Sequence, residues 1–247
     1  MKIIIALSFI IQCMPAVSVS QITKADTFIV TKGIQNIKPG SKKYIQYTEY
    51  PNGLIRFQSI LTRKVEKTNY KGKEQFLITQ TYQTGNSIDR DSSYCDSKTL
   101  MPLGYFTDIP SEGHKEKVIF SEHEIDNTVI YKDSINRSNK INPHFYNGVV
   151  ADEIITAMPL KEAAKFVIKM VMPGERYDEY IMEVEVLGKE ELDIPVAGKV
   201  QCWKLRTSAR AGSSSLEWYS VKGQVQLKKR FEFNGGYVFC RVMIAGI

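Results

Sequence analysis

Apolar and polar residues alternate with a period of two over most of the chain, which sets successive side chains on opposite faces of an extended strand. In residues 54–65, Ile55, Phe57, Leu61 and Val65 share one parity and Arg56, Gln58, Thr62 and Lys64 the other, so a half-buried strand is expected. Residues 76–83 follow the turn signal Lys71-Gly72-Lys73, and the two segments read as a hairpin. Further on, Met182, Val184 and Val186 oppose Glu183 and Glu185 before a bend through Pro195, Ala197 and Gly198. Residues 200–207 and 216–221 form two more strands around a Gly/Ser turn at Gly212 and Ser213, Ser214 and Ser215. Val225, Leu227, Phe231 and Phe233 oppose Gln226, Lys228, Arg230 and Glu232, and Gly235-Gly236 turns the chain into residues 237–244. That last strand is apolar on both faces apart from Arg241, as expected of an interior or covered position.

One segment breaks the rhythm. Residues 149–158 carry apolar side chains at helical spacing and stop at Pro159, which predicts one short amphipathic helix. Residues 166–172 and 177–187 flank Pro173-Gly174 and resume the sheet as a hairpin, while residues 86–99 and 132–148 read as loop-rich. The expected fold is mainly β: an antiparallel meander forming a curved half-barrel or a barrel, with one short helix packed against it.

The amino terminus has a different character. Lys2, the apolar run Ile3 to Ile11, Pro15 and the small residues Ala16-Val17-Ser18-Val19-Ser20 read as a secretory signal peptide cleaved after Ser20, leaving a single β-rich domain over residues 21–247. Acylation at Cys13 is the less favoured alternative, because bulky Gln12 precedes it. The apolar run is too short to span a bilayer, which needs about 20 residues, and no other stretch is longer. The expectation is an exported protein, periplasmic or associated with the cell envelope, with no transmembrane segment in the mature chain. Cleavage removes Lys2 from a formal net charge of +6, and the remaining positive residues are dispersed, which argues against nucleic acid as a partner.

Candidate chemistry is sparse. Ser213, Ser214 and Ser215 lack a Gly-x-Ser-x-Gly elbow and read as turn material. Cys95, Cys202 and Cys240 stand in no recognisable motif with His114, His123 or His144; Cys202 reads as a buried core thiol and Cys95 as exposed in a polar loop. A Cys202–Cys240 disulfide is expected only if their strands are neighbours, and free thiols in both are an equal alternative. Glu122-His123-Glu124 would alternate across a strand, and no His-Glu-x-x-His or paired Cys-x-x-Cys occurs, so no metal site and no cofactor are expected. Glu183 with Glu185 and Glu190 with Glu191 are ordinary for exposed strands and turns. Gly235-Gly236 lacks the lysine and helix of a phosphate loop. Trp203 and Leu205 share one strand face with Lys204 and Arg206 on the other, a separation that favours core packing over base stacking. No catalytic residue is assigned, and ligand-binding residues are left unknown.

Several short pieces agree in order and spacing: Ile194-Pro195-Val196-Ala197-Gly198, Cys202-Trp203, Trp218-Tyr219-Ser220, residues 227–232, Thr99-Leu100-Met101-Pro102-Leu103 and Ala157-Met158-Pro159-Leu160. Over roughly Tyr44 to Val242 the chain resembles the exported bacterial domain-of-unknown-function family 3108. It departs by inserting Val196 and by carrying Ala163-Ala164 where a glycine is usual. The resemblance implies an antiparallel sheet similar in architecture to the half-barrels of periplasmic lipoprotein carriers, and it brings no catalytic residues. The expected function is therefore non-enzymatic: binding of a lipid or acylated partner such as a lipoprotein in the curved sheet, with a filled structural or protein-interaction module as the alternative and a hydrolase the least favoured.

Overall fold

A computed structural model describes residues 28–30, 32–70, 72–121, 124–131, 133–140, 145–172, 178–210, 213–233 and 235–246. Among them, fifteen strands form one sheet. From β1 (Gly40–Glu49), a meander runs outward through β2 (Ile55–Tyr70), β3 (Lys73–Thr84), β4 (Ser87–Asp96), β5 (Pro102–Ile109), β6 (His114–Phe120), β7 (Glu124–Tyr131) and β8 (Asp133–Lys140). On the other side of β1 the order is β15 (Val238–Ala245), β14 (Gln226–Glu232), β13 (Ser213–Ser220), β12 (Gly198–Arg210), β11 (Asp178–Ile194), β10 (Lys165–Met172) and β9 (Tyr146–Asn147). Every pair is antiparallel except β9 with β10. A short 3₁₀ turn at Gly148–Val150 leads into α1 (Ala151–Ala157), which ends ahead of Pro159 as its sequence requires.

The sheet curls around α1. Val150, Ile154, Ile155, Ala157 and Met158 pack at once against Val65, Phe76 and Ile78 of β2 and β3 and against Ile168, Met182, Val184 and Leu205 of β10 to β12. The two ends of the sheet meet through side chains: Val118, Phe120 and Ile125 of β6 and β7 pack with Phe145 and Val171, and Asn147 Nδ2 donates to Ser93 Oγ at 3.2 Å. No ladder joins β8 to β9 among the described residues, so the sheet is barrel-like in shape but not closed by hydrogen bonds. The amino-terminal segment covers part of the β10 edge, with Phe28 N–H donating to Val167 O and Val30 N–H to Tyr146 Oη. Gly33 lets it pass the end of α1: its φ is +83°, and a Cβ there would stand 2.0 Å from Ala157 O.

Several sequence expectations need correction. Residues 86–99 are largely strand, because β4 places Ser93 and Cys95 inward; Asn86 belongs to the turn before it and residues 97–99 to the turn after it, capped by Asp96 accepting from Lys98 N and Thr99 N. Residues 132–148 contain β8 and β9. The strand expected at 54–65 does not keep one buried face. A bulge leaves Gln58 unpaired between the Gln46–Ser59 and Tyr47–Phe57 pairings, so Leu61 and Val65 are buried while Ile55 and Phe57 are exposed. Ser213–Ser215 belong to β13 and not to the turn. The helix, the 71–73 hairpin and the interior position of the last strand, between β1 and β14, stand as expected. The signal-peptide reading over residues 1–20, with Cys13, lies outside the described residues.

Candidate functional site: a buried polar centre beneath the helix

The first turn of α1 presents Asp152 and Glu153 to the sheet, and the sheet answers with charge. Arg63 on β2 is 3% exposed. Its Nε donates to Glu153 Oε1 at 3.1 Å, its Nη2 donates to Glu153 Oε2 and to Val149 O at 2.7 Å, and its Nε lies 3.6 Å from Asp152 Oδ2. Arg241 on β15 reaches Asp152 Oδ2 at 3.5 Å and donates to Gln226 Oε1 at 3.3 Å. Asp152 Oδ1 accepts from Gln226 Nε2 at 3.2 Å and lies 3.4 Å from Tyr219 Oη. Glu217 on β13 completes the group: its Oε1 accepts from Thr207, Ser215 and Lys229, the last at 2.9 Å, and its Oε2 from Gln226 Nε2.

Strand register explains the assembly. Arg63 lies midway between Leu61 and Val65, both buried, so it shares their inward parity. Glu217, Lys229, Arg241 and Gln46 sit directly opposite one another across β13, β14, β15 and β1. Electrostatics then fixes their protonation. Burial alone would raise the pKa of Asp152, but Arg63, Arg241, Lys229 and Lys42 outweigh it and hold the carboxyl below its ordinary range. Glu217 behaves alike, with Lys229 outweighing burial. Burial pushes the Tyr219 hydroxyl well up, and Asp152 and Glu217 add to the rise. Asp152 and Glu217 therefore stay ionised and the Tyr219 phenol protonated through neutrality, the reverse of what a general acid or base working near neutral pH needs. Asp91 on β4 goes the other way: burial raises its pKa against donors from Thr107 and Tyr105.

The residues weighed from sequence do not converge on chemistry. Cys95 is buried, not exposed, because β4 turns it inward against Phe76. Burial raises its thiol pKa and pushes that of Cys202 up to about 11, the opposite of activation. Cys95 pairs with Pro102 near one end of β5 and His114 with Ile109 at the other, roughly 23 Å apart at about 3.3 Å per residue. Cys202 and Cys240 are free thiols; β13 and β14 separate their strands, about 14 Å at strand spacing and beyond disulfide reach. Glu122, His123 and His144 lie outside the described residues, and among the described residues no cluster of ligands fit for a metal occurs. Trp203 packs in the core with Leu205, and buried Trp218 is covered by the ammonium groups of Lys204 and Lys228, 5.5 and 5.3 Å from its ring. Neither ring is presented for base stacking. No described helix is long and apolar enough to cross a membrane. Arg63, Asp152, Glu153, Glu217 and Arg241 were not weighed as site residues from sequence, although an arginine at the parity of Leu61 and Val65, and Arg241 alone in an apolar strand, were visible signals.

A search of curated proteins returns no match. Among solved structures, the chain is similar to a β-barrel-like protein of domain of unknown function DUF1849 from Brucella abortus. The TM-score is 0.56 at 6% identity, covering 85% of this chain and 97% of that one, a likeness of fold alone. The model of the family described as protein of unknown function (DUF3108) matches residues 46–239, most of the sheet and all of α1, and the chain belongs to that family.

Proposed function

We propose that the protein is an exported, non-enzymatic component of the cell envelope that binds a partner protein while the interior of its curled sheet stays filled by its own helix. The observation that carries this reading is the seating of α1, which is packed against both arms of the sheet and tied to it through Arg63 and Arg241. Buried ion pairs are costly to leave unpartnered, so this helix resists displacement. The raised thiol pKa values and the fixed protonation of the polar centre further support a role without catalysis. For the partner, adjoining hairpin tips offer exposed apolar residues: Leu54, Ile55 and Phe57 on one, Phe233 and Tyr237 on the other, joined by the edge-to-face Tyr50–Tyr237 contact.

A lipid carrier built on this sheet would have to expel α1 to open an apolar trough. Protein purified under mild conditions from its own envelope, extracted with solvent and examined by mass spectrometry, is expected to yield no stoichiometric long-chain lipid. It should not brighten the neutral dye N-phenyl-1-naphthylamine. Recovery of one lipid per chain would overturn the filled-interior reading in favour of the carrier.

A further inference from the structure

The charges of the polar centre pair off as Arg63 with Glu153, Arg241 with Asp152 and Lys229 with Glu217, and Lys42 is left over. It sits opposite Arg63 on β1, half-buried, and among the described residues no hydrogen bond or ion pair reaches its ammonium. It lines a cavity of about 360 Å³ at the rim of the sheet, where β1 begins, β15 ends and the turn after β13 meets α1. Ile37, Val65 and Val225 supply apolar wall, Asn36 and Thr156 polar wall, and exposed Lys38 a second cation. Glu153 also borders the space, but both its oxygens are taken by Arg63.

We propose that this cavity binds a small amphiphile, with an oxyanion head on Lys42 and a short apolar body against Ile37, Val65 and Val225. A cation with no hydrogen bond or ion pair of its own inside a partly apolar cavity calls for an anion more strongly than an exposed lysine does, because screening there is weaker. The volume holds roughly a dozen non-hydrogen atoms at about 30 Å³ for each water-sized group. The site leaves α1 in place and does not depend on a partner at the hairpin tips. Burial lowers the Lys42 pKa, Glu153 and Asp152 raise it and Arg63 lowers it, with a net fall. Binding therefore fades as alkaline pH discharges the amine.

The test is calorimetric titration of the full chain at pH 7 with sodium octanoate, octan-1-ol, octylamine and inorganic phosphate. Octanoate should bind one to one, with the alcohol, the amine and phosphate each at least tenfold weaker. Lys42→Met should weaken octanoate at least tenfold, Lys42→Arg should recover most of the loss, and Lys43→Met, an exposed neighbour of opposite parity, should change nothing. The Lys42 Nζ resonance of the unaltered protein should shift on adding octanoate, which keeps the test open should a variant fold poorly. Absence of octanoate binding, indifference to Lys42→Met, or octylamine binding as tightly as octanoate would each overturn the proposal. Phosphate binding as tightly as octanoate would remove the apolar body from it and overturn it as an amphiphile site.

Discussion

Replacing Arg63 by methionine removes the cation that ties β2 to α1 while keeping much of the side chain's length. The structure sets the size of the effect. Glu153, 4% exposed, would lose both Arg63 donors to its carboxylate, and Val149 O would lose the donor at 2.7 Å. Removing one partner of a buried pair costs about 3–5 kcal/mol, because the other charge is left buried and uncompensated. That is a large share of the about 5–15 kcal/mol by which a domain is stable. The assay is urea unfolding by intrinsic fluorescence, with the change read from the midpoint at an unchanged slope. Glu153→Met alone should also destabilise, whereas the double variant Arg63→Met/Glu153→Met should regain about 2 kcal/mol or more over the sum of the singles, since neither charge is then orphaned. A loss below about 1 kcal/mol in Arg63→Met, or a double variant no better than additive, would refute the view that this ion pair seats the helix.

The remaining expectations are more local. Ala163 holds φ +57°, so Ala163→Gly relieves about 1–2 kcal/mol of left-handed strain against about 0.4–1 kcal/mol of added unfolded-chain freedom. Thermal unfolding should therefore rise by a few degrees; a fall would mean that the alanine methyl does more than its backbone costs. Cys95, Cys202 and Cys240, buried with raised pKa values, should resist a thiol reagent at pH 8 until urea is added, and peptide mapping that finds one labelled in the native protein would contradict their placement. Asp152 and Glu217 have depressed pKa values when folded, so the stability they contribute is present above the unfolded carboxyl range of about 4 and is lost as pH falls through the folded values. Urea midpoints should drop between pH 5 and pH 2, and more shallowly in Asp152→Asn; equal slopes would remove Asp152 from the linkage.

Period-two alternation was enough to place β2 with β3, β10 with β11 and the strands of the carboxy-terminal half, because half-buried strands write their inner face into the sequence. It failed where the inner face is polar. β4 reads as a loop since Asp89, Asp91 and Ser93 hold inward positions that hydrophobic residues usually fill, and its partners Tyr105 and Thr107 come from a different strand. It failed again at Gln58, where one unpaired residue reverses every later side chain and no local residue announces the bulge. The polar centre was legible only as an anomaly. Arg63, Glu217 and Lys229 are charged residues at core parity, and their partners lie 90, 10 or 12 positions away in the chain, a juxtaposition that only the sheet order creates. The helix was legible in full, but the fact that the sheet wraps it was not, because alternation marks faces and says nothing of the volume between them.

The central claim, that α1 fills the curled sheet as a fixed part of the core, is tested most directly by hydrogen exchange of the native protein at neutral pH. The amide of Met158, which donates to Ile155 O at 3.1 Å, and those of Ile155 and Ala157 report on the helix; Leu61, Ile78 and Leu205 report on the sheet around it. The helix amides are expected to exchange as slowly as the most protected sheet amides, through global unfolding alone, and to speed up in Arg63→Met. Fast exchange across α1 with the sheet still protected would show a helix that leaves its seat, and would contradict the account.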